Sequence, residues 1–274
     1  MAHFTTSDGL NIYYEDSGEG LPILCLPGLT RTTADFDDVT PHLAGNRLIK
    51  MDYRGRGQSD FDPNWQNYSL QVESRDVLEL LAHLGLNKTA ILGTSRGGMI
   101  GMGLAAMAKD HLLGVALNDV GPELDPKGLD FIMVYLGRNP TAKTHAEAAA
   151  ALQFVFKDFA GVPLERWQRE AEKNFIQTQE GLQITYDPKL RDAIELTRDQ
   201  PLPDLWPFFD AMAGLPLACI RGANSGLLTA DTLTKMQDRR PDMVTAVVPD
   251  RGHVPFLDET ESVAALHAWV RLMA

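Results

Sequence analysis

Residues 91–99, with the sequence ILGTSRGGM, hold a serine in the pattern Gly-x-Ser-x-Gly. Ser95 follows an apolar run and precedes a helical pattern, which is the strand–turn–helix context of a nucleophilic serine. Gly93 and Gly97 would let the backbone pass closely through a sharp turn that exposes the hydroxyl. A helix N-cap is the simpler role for such a serine, but that role does not require two flanking glycines. The motif therefore predicts that Ser95 attacks a carbonyl carbon.

A serine hydroxyl needs a base that takes its proton, and the chain has seven histidines that could do so. His253 lies in the segment VPDRGHVPF, in a short loop after the last apolar run. This position predicts that His253 reaches the same sheet edge as Ser95 and acts as the general base; a structural loop histidine is the alternative. The other histidines lie in the first hairpin, on predicted helices or at helix edges, and surface or packing roles are expected for them: His3, His42, His83, His111, His145 and His267.

Attack on a carbonyl also requires donors that hold the developing oxyanion. The backbone N–H of Arg96, which follows the serine, is one expected donor. The loop LPGLTRTTADF offers a second donor, the N–H of Leu29 just after Gly28. The side chains of Arg31 and Arg96 either add positive charge near the pocket or lie in solvent.

Hydrophobic patterning indicates which elements would position these residues. The segment HFTTSDGLNIYYEDSG alternates around an Asp-Gly turn and predicts an opening hairpin. Six apolar runs then alternate with helical patterns, which predicts an α/β fold with a mostly parallel sheet flanked by helices. These runs lie in LPILCLPG (21–28), NRLIKMDYRGRG (46–57), TAILGTS (89–95), LLGVALNDVGP (112–122), LPLACIRG (215–222) and VTAVVPDRGH (244–253).

Residues 123–210 break this alternation because they contain no convincing buried strand. The segments HAEAAAALQFVFKDFA and LERWQREAEKNFIQTQ predict amphipathic helices. Open α/β sheets bind ligands beyond the carboxyl ends of their strands, where this insertion begins, so we predict a helical cap over a pocket. Additional packing helices are the alternative. The predicted domains are thus a core of residues 1–122 and 211–274 and a cap of residues 123–210.

Composition excludes several function classes. The net charge of −12 argues against nucleic acid and against anionic membrane surfaces as partners. No apolar run is long enough to span a membrane, and the N-terminus does not resemble a signal peptide. Cys25 and Cys219 lie in apolar runs, which predicts reduced core residues and a cytoplasmic protein. No cluster has metal-ligand spacing, so no metal or organic cofactor is predicted.

Four segments resemble the α/β-hydrolase fold family, and the likeness extends over nearly the whole chain. They are MDYRGRGQSD (51–60), GTSRGG (93–98), LNDVGPEL (117–124) and RGHVPFLDE (251–259). The resemblance implies an eight-stranded sheet in the order 1-2-4-3-5-6-7-8, with a helical cap after strand six. It places Cys25 and Cys219 on strands three and seven, which are not neighbours.

The chain departs from the family pattern at two positions. Pro27-Gly28 replaces a common His-Gly, which leaves the backbone donor of the next residue available. Gly226, in RGANSGLL (221–228), stands where relatives with a similar segment usually carry the aspartate that orients the histidine.

Asp119 is the main candidate for the missing acid, because some α/β-hydrolases place it at the end of strand six. In other relatives that aspartate is structural, so Asn224 or another group in this role, or a site without an effective acid, are alternatives. Asp231 is predicted at a helix start, and Asp250 and Asp258 as loop residues.

These residues together predict a serine hydrolase that acts on an ester, a lactone or a similar activated carbonyl of a small acyl substrate through an acyl-enzyme. Hydrolysis of carbon–carbon bonds in ring-cleavage diketones is an alternative within the same fold. An inactive or weakly active ligand-binding member, motivated by Gly226, is the alternative from a different class.

Overall fold

A computed structural model of the chain describes residues 2–198 and 203–274. The strands are β1 (Ala2–Thr5), β2 (Asn11–Ser17), β3 (Leu21–Leu26), β4 (Asn46–Met51), β5 (Thr89–Thr94), β6 (Leu112–Asn118), β7 (Phe175–Thr178), β8 (Gly181–Ile184), β9 (Leu217–Gly222) and β10 (Val244–Val248). The α-helices are α1 (Leu70–His83), α2 (Arg96–Met107), α3 (Pro126–Tyr135), α4 (His145–Val155), α5 (Leu164–Asn174), α6 (Leu190–Arg198), α7 (Trp206–Asp210), α8 (Ala230–Arg239) and α9 (Thr260–Arg271).

Eight strands form one sheet in the order β1-β2-β4-β3-β5-β6-β9-β10. β1 and β2 pair antiparallel, as the predicted opening hairpin requires, and β2 pairs antiparallel with β4. All other neighbouring strands of the sheet, from the β4–β3 pair to the β9–β10 pair, are parallel. This order is the one implied by the family resemblance, and the predicted fold class is confirmed. The carboxyl ends of β3, β5, β6, β9 and β10 therefore share one edge of the sheet.

The sheet separates two apolar clusters, because successive residues of a strand point to opposite faces. Leu24 and Ile91 belong to one cluster, and Cys25 belongs to the other. Every residue of β5 is buried, as expected for a central parallel strand. Helices α1 and α2 cover one face, whereas α9 covers the other with the fully buried Trp269.

Both cysteines are buried free thiols, as the sequence predicted. Cys25 lies on β3 and Cys219 on β9, with β5 and β6 between them. Burial raises the pKa of the Cys25 thiol to about 12 and also raises the pKa of the Cys219 thiol above its usual value. Both groups are therefore protonated and unreactive near neutral pH.

Between β6 and β9, the described residues form α3 to α7 and a separate two-stranded sheet of β7 and β8. The predicted helix LERWQREAEKNFIQTQ was too long, since α5 ends at Asn174 and FIQT is strand β7. The hairpin forms because Gly181 adopts φ +127 after the turn, which lets Phe175 pair with Ile184 across the two strands. Within the described part of the chain, no helix combines the length and the apolar character needed to cross a membrane.

Candidate active site

Ser95 is the single residue between β5 and α2, and it is the only residue of 91–98 that is not buried. Its backbone adopts φ 50, a left-handed conformation that is uncommon for residues other than glycine. A Cβ atom at Gly97 would overlap the Leu26 carbonyl, and one at Gly93 would overlap the Gly97 backbone. The glycines of the motif are thus required for the turn that exposes the Ser95 hydroxyl.

His253 lies in the loop after β10, where its ring contacts two of the predicted residues. Its Nε2 is 3.1 Å from Ser95 Oγ, and its Nδ1 is 2.7 Å from Asp119 Oδ2. Asn118 helps to hold this loop, since its Nδ2 donates to the Pro255 carbonyl at 3.1 Å. The structure therefore brings Ser95, His253 and Asp119 into one hydrogen-bonded series.

Asp119 directly follows β6 and is fully buried. Besides the His253 ring, its carboxylate accepts hydrogen bonds from the Gly222 N–H at 2.9 Å and the Ser225 hydroxyl at 2.6 Å. Buried ionised carboxylates need such donors to offset lost hydration. Sequence reasoning missed the contribution of Ser225, although it noted the unusual Gly226 beside it.

The other candidates for the acid lie elsewhere. The Asn224 side chain donates to the Asp158 carbonyl at 2.9 Å rather than to the histidine ring. Asp231 is exposed in the first turn of α8, as predicted, and the Asp258 carboxylate pairs with Arg166 at 2.6 Å.

Five of the remaining histidines hydrogen-bond to groups away from this site. These contacts join His3 to Gln58 O, His83 to Tyr14 Oη, His111 to Asn87 O, His145 to Phe175 O, and His267 to His42 O.

The two predicted oxyanion donors lie at the same sheet edge, after β3 and β5. Arg96 is the first residue of α2, and N–H groups in the first turn of a helix have no intrahelical acceptor. The carbonyl oxygens on either side of the Leu29 N–H are both engaged. Gly28 O accepts from the Arg31 N–H at 3.2 Å, and Leu29 O accepts from Arg56 Nε at 3.0 Å. These bonds fix the orientation of the peptide that carries the Leu29 donor.

The two arginines predicted near the pocket have different positions. Arg31 lines a cavity beside His253. Neither alternative, charge near the pocket or a solvated side chain, holds for Arg96, because its side chain is buried against α1. Its Nε donates to Glu73 Oε2 at 2.5 Å, because Glu73 is fully buried and needs a cationic partner.

Glu73 also pairs with Arg56, whose Nη1 is 2.9 Å from Glu73 Oε1. The buried Glu73 carboxylate thus connects Arg56, which donates to the Leu29 carbonyl, to Arg96, the first residue of α2. Neither Glu73 nor Arg56 was singled out from the sequence. Glu73 lies within helix α1, and Arg56 lies within the family segment MDYRGRGQSD, so the fold alone accounts for both segments.

Glu73→Gln is expected to lower the free energy of unfolding by about 3 kcal/mol, because it leaves two buried guanidinium groups without their shared negative charge. Urea unfolding followed by circular dichroism measures this loss. Glu79→Gln, on the same helix, is the control. Glu79 is partly exposed and lies 3.5 Å from Arg75, so a loss of about 1 kcal/mol or less is expected. Equal losses in both variants would contradict a special role for the buried Glu73.

Two cavities meet at the His253 ring, since His253 and Phe156 line both of them. The larger cavity has a volume of about 350 Å³, within the range typical of ligand sites. Its wall is mainly apolar and comes from α3, α4 and the loop after β9: Phe131, Ile132, Tyr135, Val155, Phe156 and Leu227. The smaller cavity, of about 50 Å³, is lined by more polar side chains, among them Arg31, Asn118 and Trp167.

Residues 22–260 match the family model described as the alpha/beta hydrolase fold. The chain belongs to the α/β-hydrolase fold family. This α/β-hydrolase is 35% identical over 253 residues to the 3-hydroxybutyrate-oligomer hydrolase of Cupriavidus necator, an alignment covering 89% of this chain and 86% of that protein.

A second relative, the 2-(acetamidomethylene)succinate hydrolase of Mesorhizobium japonicum, is 24% identical over 89% of this chain and 85% of its own length. Among solved structures, an alpha/beta hydrolase from Novosphingobium aromaticivorans superimposes with a TM-score of 0.92 and 36% identity over 99% of both chains. This α/β-hydrolase is therefore an enzyme of the hydrolase class.

Proposed function

We propose that this α/β-hydrolase is a serine hydrolase that cleaves carboxylic esters through an acyl-enzyme. The observation that carries the proposal is the continuous hydrogen-bonded series at the carboxyl edge of the sheet. It runs from Asp119 Oδ2 to His253 Nδ1 over 2.7 Å, and from His253 Nε2 to Ser95 Oγ over 3.1 Å. These separations suit proton transfer from the hydroxyl to the ring.

In the first half of the reaction, Ser95 Oγ attacks the ester carbonyl while His253 Nε2 takes its proton. The Asp119 carboxylate stabilises the imidazolium that forms. The N–H groups of Leu29 and Arg96 donate to the oxyanion of the tetrahedral intermediate. When the intermediate collapses, the carbon–oxygen bond breaks and His253 returns the proton to the leaving alcohol.

In the second half, His253 takes a proton from water, whose oxygen attacks the acyl carbon. Collapse of the second intermediate releases the carboxylic acid and returns the proton to Ser95 Oγ. Neither half requires a metal ion or an organic cofactor.

For the substrate class, we propose short oligoesters of hydroxy acids. The support is the relative named as a 3-hydroxybutyrate-oligomer hydrolase, since oligomers of a hydroxy acid are joined by ester bonds. The same name favours esters over the carbon–carbon bonds of ring-cleavage diketones. The hypothesis of an inactive binding protein rested on Gly226, and the carboxylate of Asp119 at the His253 ring removes that motive.

We further propose that the segment 123–210, of which residues 199–202 lie outside the described residues, forms a cap over this site, on a core of residues 1–122 and 211–274. The support is that Phe156, Phe159 and Trp167, all from the insertion, line a cavity together with His253. Aromatic side chains placed beside His253 in this way would limit the access of bulk water while the acyl-enzyme forms.

A fluorophosphonate probe should label the folded protein once, at Ser95, because the activated hydroxyl attacks the phosphorus centre. Peptide mass spectrometry would locate the adduct. Ser95→Ala should remove the label, whereas Ser17→Ala should retain it, since Ser17 is exposed at the end of β2 and pairs with Leu48 in the first half of β4. An unlabelled wild-type protein, or an adduct at another residue, would contradict the proposed function.

A further inference from the structure

The smaller cavity contains an unusual set of buried polar atoms. Arg31 Nη1, Trp167 Nε1 and Asn118 Oδ1 are all buried and lack a hydrogen-bond partner within the protein, and all three residues line this cavity. They account for half of the six such side-chain atoms among the residues that the structure describes. Since buried polar groups are nearly always hydrogen-bonded, two donors and one acceptor on residues that line one cavity favour a polar guest.

The orientation of the Asn118 amide is determined by its neighbours. Its Nδ2 donates to the Pro255 carbonyl at 3.1 Å and to Thr94 Oγ1 at 3.2 Å. Because a backbone carbonyl only accepts, the nitrogen must lie on that side, which leaves Oδ1 as an acceptor.

The charges around Arg31 favour an uncharged guest. Arg31 Nη1 lies 3.7 Å from both Asp35 Oδ1 and Glu170 Oε2, close enough for charge balance but too far for hydrogen bonds. Burial raises the pKa of Asp35 to about 6, so this carboxyl is still mostly ionised at pH 7. Arg166 also lines this cavity and pairs with Glu170 at 3.0 Å, so two arginines balance two carboxylates. A charged guest would find no unpaired partner, whereas a neutral oxygen needs none.

We propose that this cavity is a subsite for a hydroxyl group on the acyl chain of the substrate, bound by Arg31, Trp167 and Asn118. A hydroxyl oxygen accepts from the two donors, and its proton is donated to Asn118 Oδ1. A keto oxygen accepts but cannot donate, and a methylene group does neither. The volume of about 50 Å³ holds only about three or four water-sized groups, so the subsite accommodates a short, hydroxyl-bearing part of the acyl chain.

This inference rests on the proposed ester hydrolysis, because it assigns a binding group for the acyl part of that substrate. Three ethyl esters with the same leaving group and chain length test it: ethyl 3-hydroxybutyrate, ethyl acetoacetate and ethyl butyrate. Hydrolysis is followed by pH-stat titration. The wild type should show the highest kcat/KM for the hydroxy ester, at least about tenfold above the unsubstituted ester, with the keto ester between them.

Trp167→Phe keeps the ring and removes one donor, and it should lower the hydroxy-to-unsubstituted ratio about fivefold. Arg31→Lys keeps the charge opposite Asp35 but moves the donor, and it should lower the ratio as well. Trp269→Phe is the matched control, because it removes an indole N–H that donates to the Pro216 carbonyl, remote from this cavity. Its ratio should equal that of the wild type.

Equal kcat/KM for the three esters in the wild type would overturn the subsite and leave the proposed ester hydrolysis intact. A Trp167→Phe variant that loses the same factor on all three esters would also overturn it, since only packing would then be affected. Hydrolysis of none of the three would overturn the proposed function and the subsite together.

Discussion

Asp119→Asn is expected to lower kcat for ester hydrolysis by about 10⁴, with little change in KM. The asparagine amide can hydrogen-bond the His253 ring, but it favours the wrong tautomer and cannot stabilise the imidazolium by charge. It also disturbs the bonds from the Gly222 N–H and the Ser225 hydroxyl, which both need an acceptor at this position. Steady-state kinetics with p-nitrophenyl acetate measure the loss.

Asp231→Asn is the matched control, because Asp231 is an exposed aspartate in the first turn of α8 and does not contact the histidine. Its kcat should stay within about twofold of the wild-type value, as expected for a change outside the reacting groups. Comparable losses in the two variants, or no loss in Asp119→Asn, would remove Asp119 from the proposed role.

Gly226 allows a stricter form of this experiment. A Cβ atom at Gly226 would have no neighbour within 4 Å, so an aspartate side chain can be accommodated there. The adjacent Ser225 hydroxyl already reaches Asp119 Oδ2, which places residue 226 close to the carboxylate that is to be replaced. Adding Gly226→Asp to Asp119→Asn should therefore recover at least about tenfold of the lost kcat. A double variant as slow as Asp119→Asn would show that the carboxylate must stand at the end of β6.

The core strands could be predicted from sequence because each is a short apolar run with turn residues at its end. Strands β7 and β8 were missed, because FIQT and GLQI have only four residues each and neither is a continuous buried run. Their pairing also depends on the positive φ that Gly181 adopts after the turn. The helical pattern of α5 continues into FIQT, so the local sequence gives no signal that the helix ends at Asn174.

In the candidate site, too, features set by neighbouring residues could be predicted from the sequence, whereas contacts between distant residues could not. The Ser95 turn was predictable, since the glycines that permit it lie within two or three residues of the serine. The contact between Asp119 and His253 joins residues 134 positions apart, and no spacing in the sequence specifies it. The direction of the Arg96 side chain was equally undetermined, because it depends on the buried Glu73 of a different helix.

Ser95→Ala and His253→Ala should each lower kcat by about 10⁶, and the double variant should lose no more than either one. Without its base the serine hydroxyl is a poor nucleophile, and without the hydroxyl the base has no proton to take. The two residues therefore act as one unit, which their 3.1 Å contact makes physically reasonable. Residual hydrolysis above the uncatalysed rate should persist through the backbone donors of Leu29 and Arg96.

His145→Ala is the control for the histidine variant, because His145 hydrogen-bonds the Phe175 carbonyl in the insertion. Its kcat should change by no more than about twofold. The decisive quantity is the coupling between the two single variants, since two independent residues would give losses that multiply. Multiplying losses would mean that His253 acts on something other than the Ser95 hydroxyl. A double variant equal to the singles would instead show one proton-transfer unit, in which the strained turn at Ser95 and the loop after β10 serve a single chemical step.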